Sequence, residues 1–146
     1  MRAVEGSGLA VVVAGRGAAF GDLFNRGKID VVVNVLDGAP VLLRNVSSDK
    51  HHWVKIKLIG GKKSPRDAVG ATVYLTANKM RQRGDVLSGG SYISSNDPRV
   101  HFGLGDADTV DGLEIHWPSG AVEKVKLLGV DRIYTIQEGK GVIPKP

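Results

Sequence analysis

From Trp53 to the end, short stretches of alternating apolar and polar residues recur at intervals of about ten residues, and a chain so patterned has few folds open to it besides sheets. Val54, Ile56 and Leu58 mark one side of such a stretch and Lys55 and Lys57 the other, as in a strand with one wet face. Further strands are predicted at Val69–Ala77, Met80–Leu87, Gly90–Ser95, Val100–Phe102, Gly112–Trp117, Ala121–Leu128 and Arg132–Gln137. Gly60-Gly61, Gly89-Gly90, Asn96-Asp97-Pro98 and Pro118-Ser119-Gly120 supply the turns, the last joining two alternating runs as a hairpin. No segment offers an amphipathic helix of ordinary length. The expected class is all-β, an antiparallel sandwich or barrel.

Residues 1–45 read differently. Glycine-rich turns separate apolar runs at Leu9–Ala14, Ile29–Val35 and Val41–Leu43, each expected as a strand; Val31-Val32-Val33 has the look of one buried on both faces. The polar stretch Val46-Ser47-Ser48-Asp49-Lys50 suggests a boundary, giving a first segment of 1–45 and a β domain of 46–146. With aromatics at only 5% and 20 glycines, the core must rest on Val, Leu and Ile.

Composition also excludes chemistry. The absence of cysteine removes disulfides, thiolate nucleophiles and cysteine metal sites. No run approaches the roughly 18 apolar residues of a membrane span, and Leu9–Ala14 lacks the flanks of a secretory signal. The net charge of +5 suits solubility and also permits an anionic partner.

Two ordered sets of motifs carry a family resemblance. Gly15-Arg16-Gly17-Ala18-Ala19-Phe20-Gly21-Asp22, followed by Asp30-Val31-Val32-Val33 and Leu42-Leu43-Arg44-Asn45, resembles the last FG-GAP/VCBS-type repeat of a β-propeller. His52-Trp53-Val54, Gly61, Arg66-Asp67, Gly70-Ala71, His101-Phe102-Gly103-Leu104-Gly105 and Trp117-Pro118-Ser119-Gly120 together resemble the ASPIC/UnbV domain. The resemblance implies an extracellular or periplasmic protein with a propeller upstream, and with it an export signal upstream of Met1. It implies no activity and no cofactor. As only part of a four-stranded blade, residues 9–44 are expected to leave strand edges open, so self-association is an expectation too.

In the FG-GAP pattern, carboxylates at the first, third, fifth and ninth loop positions supply calcium with its oxygen ligands. Here the first and ninth are Asp22 and Asp30, but the third is Phe24 and the fifth Arg26, so the loop reads as degenerate, with no metal. Lys55, Lys57, Lys62, Lys63 and Arg66 cluster in sequence, while Lys79, Arg81 and Arg83 alternate along another strand. If the two strands pair, their outward faces merge into a basic patch suited to a glycan or another polyanion. Nucleic acid is not expected, because no aromatic residues are interleaved with these charges for base stacking.

His51, His52, His101 and His116 lack metal-ligand spacing, and the last two read as flanks of buried aromatics. The serines form no nucleophile elbow, and Asp106, Asp108, Asp111 and Glu114 read as turn chemistry rather than as a catalytic pair. Trp117 alternates with Leu113 and Ile115, which places it in the core rather than on a sugar-binding surface. The sequence therefore points to a non-catalytic module that contacts a glycan, another polyanion or a protein at a cell surface, or else to a structural cap on the upstream propeller.

Overall fold

A computed structural model describes residues 7–144. Residues up to Ser47, together with Gly89–Asp97, form one compact unit; Ser48–Ser88 and the chain from Pro98 onward form a second.

The first unit carries a 3-10 turn, Gly8–Ala10, and three strands, β1 (Gly15–Gly21), β2 (Asp30–Val35) and β3 (Val41–Leu43). They form an antiparallel sheet in the order β1-β2-β3. β1 escaped the sequence reading because Gly17-Ala18-Ala19 lacks the bulky residues that mark a strand. The expected strand Leu9–Ala14 is not one. It is a 3-10 turn and an extended arm with Leu9 70% and Val12 97% exposed, tied to the chain after β2 where Leu36 N donates to Ala14 O. Val31–Val33 is half-buried rather than covered on both faces, in keeping with a lone small sheet. Gly90–Ser95, also expected as a strand, is a turn in which Ser94 N donates to Ser91 O and Ile93 takes a positive φ. Asn96 and Asp97 then serve the edge of β1: Phe20 N donates to Asn96 Oδ1, and Asp97 N donates to Phe20 O.

The second unit holds β4 (His52–Ile59), β5 (Thr72–Ala77), β6 (Met80–Asp85), β7 (Val100–Gly105), β8 (Gly112–His116), β9 (Val122–Val125), β10 (Arg132–Gln137) and β11 (Gly141–Ile143). Two four-stranded sheets result, ordered β11-β10-β4-β7 and β6-β5-β8-β9. Val54, Ile56 and Phe102 from the first and Val73, Leu75, Leu113 and Ile115 from the second enter one buried cluster. The barrel option fails, since neither sheet closes. The antiparallel expectation fails at one pair: β10 runs parallel to β4, from Arg132 opposite Val54 to Gln137 opposite Ile59. Residue alternation is the same in either direction, so the sequence pattern carries no sign of it.

Local chemistry explains the hairpins. β5 and β6 are joined by Asn78-Lys79, both at positive φ, the two-residue turn whose twist matches its strands. β8 and β9 are joined through Pro118-Ser119-Gly120, where Trp117 N donates to Ala121 O and Gly120 takes a φ of 90°. At Gly84 on β6, an added Cβ would fall 2.2 Å from Val100 Cγ1, so β6 and β7 approach as closely as they do only because no side chain stands there. Among the described residues there is no α-helix, and no helix long and apolar enough to cross a membrane.

Candidate functional site

The alternation that builds the core of the second unit also builds its outer face. On β5, Val73, Leu75 and Ala77 are buried, which turns Thr72, Tyr74 and Thr76 outward. On β8, Leu113 and Ile115 are buried, which turns Gly112, Glu114 and His116 the same way. Strand register then sets the rows. Arg83, Tyr74, Glu114 and Lys124 stand side by side across all four strands, with Arg81, Thr76 and Gly112 in the next row.

These side chains hold one another in place. The Arg81 guanidinium lies over the Tyr74 ring at 4.2 Å from its centroid, and its Nη2 reaches Glu114 Oε1 at 3.4 Å. His116 meets the Tyr74 ring edge-on at 5.1 Å, and its Nε2 is 2.7 Å from the same Glu114 oxygen. The hydrogen bond with His116, aided by the Arg81 charge, holds the Glu114 carboxyl below its usual range. At the sheet edge, Thr72 Oγ1 and Arg83 both donate to Asp85 Oδ1, at 2.7 Å and 3.0 Å; these bonds lower the Asp85 pKa, and the Asp85 bond raises that of Arg83.

Beside this network opens a cavity of about 660 Å³, lined among others by Tyr74, Arg81, Gly112, Glu114, Lys124 and Lys126. That volume lies within the usual range for small-molecule sites. Three cations face two carboxylates, Asp111 and Glu114, and Glu114 is already engaged by His116 and Arg81. The cavity therefore presents an aromatic ring, a stacked guanidinium and two exposed ammonium groups, a combination suited to an anionic ligand with a ring to bury.

The sequence-predicted basic patch is divided. Arg81 and Arg83 lie on this face. Lys55 is 0% exposed, so it does not stand on a wet face, and the expectation that it points outward is corrected. Lys57 on β4 is exposed; Lys62, Lys63 and Arg66 lie in the loop between β4 and β5, also exposed, with Arg66 bonded to Asp67. β4 and β6 belong to different sheets and do not pair, so their cations do not merge through adjacent strands. Lys79 occupies the β5–β6 turn. Tyr74, Lys124 and Lys126 were missed, although alternation in the predicted strand Ala121–Leu128 already placed both lysines on its polar side.

The loop between β1 and β2 is closed by its own side chains. Asp22 Oδ1 and Oδ2 accept the backbone N–H groups of Arg26 and Gly27, at 2.8 Å and 2.7 Å. Asp30 Oδ1 accepts Arg26 Nη2 and Asn45 N, both at 2.9 Å, while Arg26 Nη1 donates to Asn45 O. Both carboxylates are buried, and the guanidinium groups of Arg26 and Arg44 both approach the Phe24 ring, at 5.2 Å and 4.9 Å from its centroid. His52 pairs with Asp131 and His51 with Asp106, while His101 stacks on Trp53; among the described residues no three metal-binding side chains converge. Trp117 is buried in the core, as its alternation predicts.

The motif serine has a structural partner: Ser119 Oγ donates to Glu138 Oε1 at 2.5 Å, and Gly61 N donates to Glu138 Oε2 at 2.7 Å. The bonds from Ser119, Ser64 and Gly61 hold the Glu138 carboxyl below its usual range. They join the β8–β9 turn, the loop after β4 and the residue that follows β10.

Comparison with known proteins bears on residues from this same region. The family model described as ASPIC and UnbV matches residues 61–143, beginning in the loop after β4 and not reaching β1–β3. Cartilage acidic protein 1 of Xenopus tropicalis is 30% identical over 112 residues, which is 74% of this chain and 17% of that protein. The chain thus spans less than a fifth of that relative. With the motifs His101–Gly105 and Trp117–Gly120 inside the matched span, on β7 and at the β8–β9 turn, the chain belongs to the ASPIC and UnbV family.

Proposed function

We propose that this chain is a non-catalytic extracellular binding module whose outer β6-β5-β8-β9 face takes an anionic saccharide. The observation that carries the reading is the cavity beside Tyr74, where Arg81 is held in place by ring and carboxylate while Lys124 and Lys126 stand exposed. A preorganised guanidinium loses little freedom on binding sulfate or carboxylate, and an aromatic wall suits the apolar face of a sugar ring. The module works within a larger protein, with β1–β3 as the end of a preceding propeller; three sequential antiparallel strands support that assignment. Its partners are that propeller and a glycan-bearing surface, and it needs no cofactor or metal ion.

The test is binding of the chain to immobilised heparin-type and neutral polysaccharides at low and high salt, with calcium present or chelated. Binding to the sulfated polymer is expected to fall with salt, to be indifferent to calcium, and to drop at least tenfold in Arg81→Ala with Lys124→Ala. Equal retention of that double variant would overturn the reading, as would wild-type chain that ignores the polymer.

A further inference from the structure

Gly112 has no structural reason to be glycine. It opens β8, paired with Thr76, and its φ lies outside the left-handed region that glycine alone adopts freely. A Cβ built there meets no atom within 4 Å, in contrast to Gly84, where β7 stands in the way. A glycine in a strand weakens it and commonly marks a bulge, a bend or the close approach of a ligand or another backbone. The β5–β8 ladder ends at the Thr76–Gly112 pair with no shift along it, and the open space over Gly112 belongs to the cavity lined by Tyr74, Arg81, Lys124 and Lys126, which gives a ligand room to approach the backbone there.

We propose that Gly112 is the floor of a subsite that admits one ring of an anionic saccharide, set between Tyr74 and Arg81 on one side and Lys124 and Lys126 on the other. The inference rests on the function proposed above and deepens it. Lys124 and Arg83 alone would form a surface track along which a long polyanion could lie at many registers, and such binding would not depend on the depth of the face. The missing side chain lets a ring sit against the sheet, within reach of both the stacked guanidinium and the ammonium groups. The anionic substituent could be a sulfate or a ring carboxylate, since both match a planar guanidinium.

The test uses the whole chain, with a sulfated hexasaccharide and an unsulfated uronate-containing hexasaccharide of equal length as probes, alongside the long sulfated polymer. Gly112→Val fills the space with a residue of higher strand propensity, so its melting temperature is expected to hold or rise. Its affinity for the preferred hexasaccharide is expected to fall at least tenfold, with Gly112→Ala intermediate, while the polymer loses less. Whichever probe the wild type prefers identifies the anion. Undiminished hexasaccharide binding by folded Gly112→Val would overturn the subsite and leave the face reading in place. Loss of polymer and hexasaccharide binding in equal measure would also overturn it, since a filled subsite spares contacts outside it. A wild type that binds the polymer but neither hexasaccharide would do the same. Failure of the wild-type chain to bind the polymer at all would instead overturn the function on which the subsite rests.

Discussion

The two compact units are made of the same element, short twisted strands, and are held together by opposite means. Every buried hydrophobic residue from Val54 to Ile136 belongs to the second unit. In the first, the buried positions among the described residues are Gly21, Asp22 and Asp30. In this three-stranded sheet the buried positions are organised around two carboxylates, a guanidinium and the backbone of Asn45. The difference teaches where each unit is fragile. The second should yield to lost volume, the first to lost charge pairing.

The largest expected effect lies in the second unit. Ile115 is fully buried between Leu113 and Trp117 on the core side of β8, and Ile115→Ala removes its side chain from a site with little room to collapse. A loss of about 2–5 kcal/mol is expected, read by chemical denaturation followed through Trp117 fluorescence. A loss below about 1 kcal/mol, the range of volume-conserving core swaps, would break the comparison by showing that apolar packing is not what holds this unit.

The first unit should respond to Arg26→Ala. The Asp30 side chain is fully buried and one oxygen already lacks a partner, so removing the guanidinium leaves a buried carboxylate with the Asn45 amide alone. Because Arg26 is partly exposed, the expected cost is near the lower end for a broken buried pair, about 3 kcal/mol. The readout is hydrogen exchange at the amides of Gly27 and Asn45, which bond to the two carboxylates. Arg26→Lys is expected to restore only part of the protection, since an ammonium cannot span Asp30 and Asn45 as the fork does. Unchanged protection in Arg26→Ala would place the stability of this unit elsewhere.

What could be read in advance follows the same division. In the second unit, alternation located β4, β5, β8 and β10, because burial on one face imposes a period of two, and Pro118-Ser119-Gly120 announced its turn, whereas Lys79 was read as part of a strand and lies in the β5–β6 turn. In the first, Leu9–Ala14 misled, because an apolar run does not name a partner strand, and Gly17-Ala18-Ala19 hid one that has a partner. Arg26 was legible as an obstacle to calcium but not as the partner of Asp30, since the distance from Asp30 to its guanidinium is a product of the fold. Lys55 broke the alternation rule outright, for the rule gives the side of the sheet and not whether that side is wet. The candidate site was half visible: Arg81 and Arg83 were singled out because they alternate along a predicted strand, whereas Tyr74 and Lys124 matter through registers that join β5 to β8 and β8 to β9.

The smallest expected effect sharpens the comparison from the other side, because the second unit also contains a polar clasp. Glu138 is held by Ser119, Ser64 and the Gly61 amide, and its carboxyl is lowered from the ordinary value of 4.5. A carboxyl lowered in the folded state stabilises it fully above that ordinary value, and the contribution is lost as pH falls through the folded value. Thermal melts between pH 7 and pH 3 should therefore fall on the acid side less steeply in Glu138→Gln than in the wild type, with the two curves approaching as pH falls through the folded value and the wild-type carboxyl takes up its proton. At pH 7 the variant should melt only slightly lower than the wild type, and by far less than Ile115→Ala. A drop at pH 7 as large as that of Ile115→Ala would mean that the turn carrying Trp117-Pro118-Ser119-Gly120 is held by charge rather than by the buried tryptophan beside it, and the contrast between the units would then be one of degree.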